Sequence, residues 1–230
     1  MSELFLCLDT STPTARVAIL DGDAQVRFAS EVTADRHAAH LLPLCAEAMR
    51  AVGAAPAGLA GIACGGGPGS FTGLRVGLAA AKGLALPTGV PLYLVSSLAA
   101  LALDILKARP AGVPVTAVPC LDAGKGEVYL AGYAADAERR AREVAPSARL
   151  VPTAVADWIA PLGAAVVAGN GATRYRSALA GCEVVEIAGP TAVSVGTLAL
   201  LQRARGEAAN LAAAVPFYGR PPDITVKRSP

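Results

Sequence analysis

Two apolar runs in this chain, over residues 4–8 and 115–121, each end on an aspartate, Asp9 and Asp122. Each aspartate opens a short turn, and a second strand-like run follows it. A continuous apolar run of this length suits a strand buried on both faces. Two such units in one chain suggest two α/β lobes built on one plan, although a strand–Asp–turn–strand unit also arises by chance in any α/β protein. A breaker cluster, Arg109-Pro110-Ala111-Gly112, lies between them. The lobes are therefore expected over residues 1–105 and 106–230, the second smaller and ending in a Pro-rich extended tail from Pro216.

The first lobe opens as a meander of three strands, with a hairpin signal at Asp21-Gly22-Asp23. A helix is expected over 37–52, where Leu41, Leu44, Cys45, Ala48 and Met49 recur at three- and four-residue steps. A short strand over 61–64 runs into a glycine-rich loop over 65–73. A helix then extends to about residue 86 and stops at Pro87. A strand over 90–95 and a helix over 97–108 complete the lobe. In the second lobe the charge-rich stretch over 138–143, followed by Pro146, reads as an exposed segment. A strand over 166–168 runs into Gly169-Asn170-Gly171, and a last helix spans 194–205.

Composition excludes several function classes. Lys and Arg total 20 against 18 Asp and Glu, a net charge of +2, which is no footprint for autonomous nucleic-acid binding. Aromatic residues make up 4% of the chain, too few for a base-stacking surface. No stretch is long and apolar enough to span a bilayer, and the first residues lack the basic region of a signal peptide. The five cysteines, Cys7, Cys45, Cys64, Cys120 and Cys182, form no CxxC pair, so neither a zinc ribbon nor a disulfide framework is expected. The expectation is a reduced, cytoplasmic protein.

The glycine loop between a strand and a helix start could aim backbone amides at an anion. It lacks the GxxxxGK[ST] order of a Walker loop and the Rossmann spacing, so a tight turn capped by Ser70 or Thr72 is the competing reading. Asp9, Thr10 and Ser11 could hold a phosphate and a hydrated cation, or could be a turn of residues that favour turns. His37 and His40 are three apart, but Leu41 and Leu44 on the same face offer no further ligand, so no metal is expected. With two histidines and no GxSxG or HExxH pattern, hydrolytic machinery is not visible.

Four groups of residues carry a resemblance. They are Leu8-Asp9-Thr10-Ser11-Thr12; Arg36-His37 with Leu41-Leu42-Pro43; Gly67-Pro68-Gly69-Ser70-Phe71-Thr72-Gly73-Leu74-Arg75-Val76-Gly77 with Ala81-Lys82-Gly83-Leu84-Ala85; and Asp122 with Gly126-Glu127-Val128-Tyr129. Together they resemble the TsaB (YeaZ) family of tRNA threonylcarbamoyladenosine biosynthesis proteins. The match is continuous to about Tyr133 and thin afterwards, with Gly169-Asn170-Gly171 and Pro216-Phe217-Tyr218 as later anchors.

The resemblance implies an α/β chain with the actin/Hsp70-like ATPase (ASKHA) fold, two ribonuclease H-like lobes with mixed sheets. It implies a non-catalytic subunit that binds and activates the transferase TsaD, together with the ATPase TsaE. The product is threonylcarbamoyladenosine next to the anticodon of tRNAs reading codons that begin with A. In TsaD a His-x-x-x-His pair holds the catalytic metal; the matching positions here are Ser97 and Leu101, which make no such pair. No resident cofactor is expected, with ATP or ADP and Mg only in the complex and Asp9, Thr10 and Ser11 as a vestigial phosphate turn. The free protein is expected to be a homodimer and to meet tRNA only through the complex. An independent sugar-kinase-like ATPase of the same fold is the alternative.

Gly73, Gly77 and Ala81 fall at i, i+4 and i+8, a stripe of missing side chains that asks for a close neighbour. Spacing alone leaves open whether that neighbour is the helix over 37–52 or a second subunit. The resemblance favours a subunit interface completed by Leu41, Leu44, Cys45 and Ala48.

Overall fold

A computed structural model describes residues 3–33, 37–110, 113–136 and 140–219. The first apolar run is strand β1 (Leu4–Asp9), buried from Phe5 onward. It pairs antiparallel with β2 (Thr14–Asp21), Asp9 opposite Arg16, and β2 pairs antiparallel with β3 (Val26–Thr33). Helix α1 (His37–Ala51) crosses back to β4 (Gly61–Gly67), which lies parallel to β1. Helix α2 (Phe71–Thr88) then leads to β5 (Leu92–Ser96), parallel to β4. The sheet order is β3-β2-β1-β4-β5.

The second half repeats this plan. After α3 (Ser97–Lys107) come β6 (Thr116–Gly124), β7 (Glu127–Ala135) and β8 (Ala141–Leu150), an antiparallel meander. The short helix α4 (Val155–Ile159), strand β9 (Ala165–Ala168), helix α5 (Asn170–Arg174) and strand β10 (Glu183–Val184) follow, with β9 parallel to both β6 and β10. The order β8-β7-β6-β9-β10 matches the first sheet strand for strand and in sense. The two strand–Asp–turn units are therefore equivalent elements of two lobes.

Two sequence expectations change. Of the charged stretch over 138–143, residues 138 and 139 lie outside the described residues; Arg142, Glu143 and the following Pro146 are exposed as expected, but they belong to a regular element, edge strand β8. With a neighbour on one side only, an edge strand tolerates proline and charge. Helix α2 does not stop at Pro87 but runs one residue beyond it, to Thr88. Gly89, at φ +69°, ends it by donating its N–H to Ala85 O, a left-handed cap that glycine adopts without strain.

The last helix of each half crosses to the other half. Leu98, Leu101, Ala102 and Ile105 of α3 pack with Ala117, Leu121 and Tyr133 of the second sheet. Helix α6 (Ala192–Ala204) places Ala192, Val195 and Ala199 against Phe5, Cys7, Leu20 and Ala63 of the first. No single cut in the chain thus separates the two cores.

Candidate functional site

The turn after β1 is held by its own side chains. Asp9 Oδ1 accepts hydrogen bonds from the Ser11 N–H at 3.0 Å and the Ser11 hydroxyl at 2.8 Å. Four glycines spaced every fourth residue close around it. A Cβ at Gly65 would overlap Asp9 Oδ2; at Gly69 it would meet Ser11 O, at Gly73 Thr10 O, and at Gly77 the Thr10 hydroxyl. The Ser70 N–H donates to Ser11 O at 2.8 Å, and Thr10 Oγ1 donates to Gly73 O at 2.8 Å. Ser70 caps α2 by accepting the Gly73 N–H.

This geometry corrects two readings. The Asp9, Thr10 and Ser11 turn is sealed by the glycine loop, with Asp9 and Thr10 wholly buried, so these side chains line no open phosphate cradle. The stripe of Gly73, Gly77 and Ala81 is filled from within by the same turn and core, and Leu41, Leu44, Cys45 and Ala48 are buried in the same lobe. None of these seven residues is presented to a partner. Spacing had left the neighbour of this stripe open and the resemblance had favoured a subunit; the charges on α2 could not decide, because it carries only two, Arg75 and Lys82, so both of its sides read as apolar or small.

What α1 and α2, packed side by side, do turn outward is a different set. Leu42 is 51% exposed and Leu86 65%, and Ala46, Ala79 and Gly83 are exposed as well. Ala79, Gly83 and Leu86 recur at helical spacing on one face of α2, and nothing lies within 4 Å of where a Gly83 Cβ would stand. The only sequence signal for this face was a second row of small residues on the same helix.

The second aspartate differs from the first. Asp122 accepts the Gly124 N–H at 3.0 Å and pairs with exposed Arg174 at 2.8 Å, while its own N–H donates to Asn170 Oδ1. Ser97 and Leu101 are both fully buried, and Ser97 Oγ accepts the Gly67 N–H. His40 is exposed on α1, whereas the His37 side chain lies outside the description. Among the described residues no three His, Cys, Asp or Glu side chains gather as metal ligands, and no helix is long and apolar enough to cross a membrane.

Burial pushes the Asp9 carboxyl up to about 6, against the opposing hydrogen bonds from Ser11 and the charge of Arg16. Its Oδ2 is buried without a hydrogen-bond partner. A carboxyl raised from about 3.9 keeps its proton in the folded state while the unfolded chain has lost it. Its contribution is fully present below about pH 4 and is lost as pH rises through about 6. The difference is about 3 kcal/mol. In Asp9→Asn this slope is absent. Urea titrations at pH 4, 5, 6 and 7 should therefore show the wild type losing stability relative to Asp9→Asn across that window. Parallel curves would show that Asp9 is not held against its charge.

The TsaD family model, tRNA N6-adenosine threonylcarbamoyltransferase, matches residues 28–214. The tRNA threonylcarbamoyladenosine biosynthesis protein TsaB of Escherichia coli is 35% identical over 132 residues, 57% of this chain and 55% of that protein. TsaB of Bacillus subtilis is 31% identical over 128 residues, 56% of this chain and 54% of its own length. The match thus spans about half the length of these curated relatives. Among solved structures, YeaZ from Pseudomonas aeruginosa superposes with a TM-score of 0.80 at 31% identity, covering 94% of this chain and 99% of that one. A second P. aeruginosa structure, described as similar to peptidase YeaZ, gives 0.81 at 32% identity and covers 95% of this chain and 100% of that one. The ethanolamine utilization protein EutJ of Carboxydothermus hydrogenoformans shares the fold at a TM-score of 0.51 and 14% identity.

Proposed function

The chain belongs to the TsaB (YeaZ) family, with a TsaD-like domain and the actin/Hsp70-like ATPase fold, and on that premise we propose that it is a non-catalytic subunit in tRNA threonylcarbamoyladenosine biosynthesis. It binds and activates a TsaD-type transferase, with TsaE as the ATPase of the assembly. One observation carries this reading. The positions where the fold would do chemistry are packed shut, while α1 and α2 present an unpartnered face of small and apolar residues. The Asp9 turn is sealed by glycines, and Ser97 and Leu101 sit in the core. The outward row of Leu42, Ala46, Ala79, Gly83 and Leu86 lets another helix pair approach closely.

In the free protein the same face serves a second copy of the chain, so homodimer and heteromer exclude each other. The chain holds no nucleotide of its own. ATP or ADP with Mg belongs to the assembled complex, and tRNA is met through the transferase in the cytoplasm. The sugar-kinase-like alternative requires an open phosphate turn beside Asp9, which the buried Thr10 and Ser11 disfavour.

Gly83→Arg is the sharpest test. It exchanges a helical glycine for a better helix former, which favours the fold by up to about 1 kcal/mol. The melting temperature should hold or rise. Affinity for the TsaD-type partner should fall by roughly a hundredfold, the scale of a hot-spot change at a close-packed centre. Co-purification at wild-type levels would refute the interface. ATP turnover by the isolated chain would favour the kinase-like alternative.

A further inference from the structure

Residues 214–219 adopt no helix or strand, yet they join parts of both lobes. The Phe217 N–H donates to Gly66 O at the end of β4, at 2.7 Å, and Phe217 O lies so close to Gly67 that a Cβ there would collide. From the second sheet, the Tyr129 hydroxyl donates to Tyr218 O at 2.7 Å, and Gly219 lies against the Tyr129 ring. From α2, Arg75 Nε donates to the Tyr218 hydroxyl at 3.0 Å. The Arg75 guanidinium stacks on Phe71 at 3.9 Å, and the Phe71 and Tyr218 rings stand 4.9 Å apart. Val215 and Phe217, with Gly66, Pro68 and Tyr133, wall a cavity of about 250 Å³ between the lobes.

Apart from Ala214, which is buried in the first core, few of these contacts come from burial. Phe217 is 58% exposed and Val215 71%. Beyond Ala214 the segment is held by a handful of hydrogen bonds and one aromatic–arginine stack, so opening it there costs far less than unfolding a core element. We propose that residues 214–219 form a releasable latch that locks the two lobes at one angle and closes the cleft over the glycine loop. Its Tyr218 grips Phe71 and Arg75 at the start of α2, so release also frees that end of the helix from the second lobe. This inference stands whether or not the α1–α2 face binds a transferase, because it concerns the isolated chain.

The test is the angle between the lobes, read from backbone residual dipolar couplings of the full chain. In the wild type one alignment tensor should fit both sheets. In Tyr218→Ala the two sheets should require different tensors, and the Phe217 amide should exchange at least about tenfold faster, the effect of losing anchors worth roughly one hydrogen bond each. Tyr129→Phe removes a single hydroxyl and should shift both readouts the same way by less, with a nearly unchanged melting temperature. If Tyr218→Ala fails to fold, Tyr129→Phe decides the question. A wild type that already needs two tensors overturns the latch. So do folded variants that keep one tensor.

Discussion

A chain carrying Gly77→Leu should fail to fold at 37 °C. Gly77 faces the Thr10 hydroxyl in the sealed turn, and even a single Cβ would overlap it, with Cys64 Sγ next at 3.5 Å. Leucine adds a branched side chain to a space that does not hold one carbon. Neither wall can yield cheaply, because Thr10 is fully buried and tied to Gly73 O. Overpacking of a tight core costs about 1–3 kcal/mol and more where backbone must move, so a loss above about 4 kcal/mol is expected against a total of roughly 5–15. Loss of the cooperative melting transition by circular dichroism is the readout. A double-mutant cycle locates the clash. Thr10→Ala removes the overlapped oxygen and should recover part of the stability lost in Gly77→Ala, with a coupling of about 1 kcal/mol or more. Additive losses would mean that Gly77 meets something else. Gly77 and Gly83 lie on one helix, and their variants should part completely: one loses the fold, the other only the partner.

Asp104→Ala should cost about 2–3 kcal/mol, on the scale of breaking a partly buried network of charge-assisted hydrogen bonds. Asp104, on α3, accepts the Thr191 N–H and hydroxyl at 2.8 Å each and the Ser194 hydroxyl at 2.6 Å. Thr191 is in turn the cap of α6, its hydroxyl accepting the Ser194 N–H. One carboxylate thus joins the two helices that cross between lobes. Its removal leaves the Thr191 N–H and the Thr191 and Ser194 hydroxyls without this acceptor, the Ser194 hydroxyl in a fully buried residue. Asp104→Asn keeps one acceptor oxygen and should lose about half as much. Burial raises the Asp104 carboxyl as well, so its contribution has the same sign with pH as that of Asp9. Equal melting of Asp104→Ala and wild type would remove the network from the account of how the lobes are joined.

Much of the molecule was legible in the order of residues. The apolar runs ending at Asp9 and Asp122 announced two equivalent strands, because a strand buried on both faces must be apolar at every position. Gly73 and Gly77, with Ala81, announced a close approach, because a glycine inside a helix costs about 1 kcal/mol against alanine and two on one face ask for a reason. What filled that approach was not legible. Thr10 lies 63 residues from the Gly73 carbonyl to which it donates, and no local pattern records such a contact.

Sequence by itself thus determined the strands and helices of the first lobe, the first two strands of the second, the strand over 166–168 and the last helix, and, through its motifs, the family that implies two lobes, since each is written in short-range spacing. Tertiary structure alone decided which side of α2 is buried, that α3 and α6 exchange lobes, that the solvated stretch before Pro146 is an edge strand, and that residues 214–219 bridge the halves. The physical reason is common to all four. Periodicity ranks one face of an element against another, and it is silent when both faces are small and apolar, when a strand has one neighbour, or when the contact is made by a few polar atoms distant in the chain.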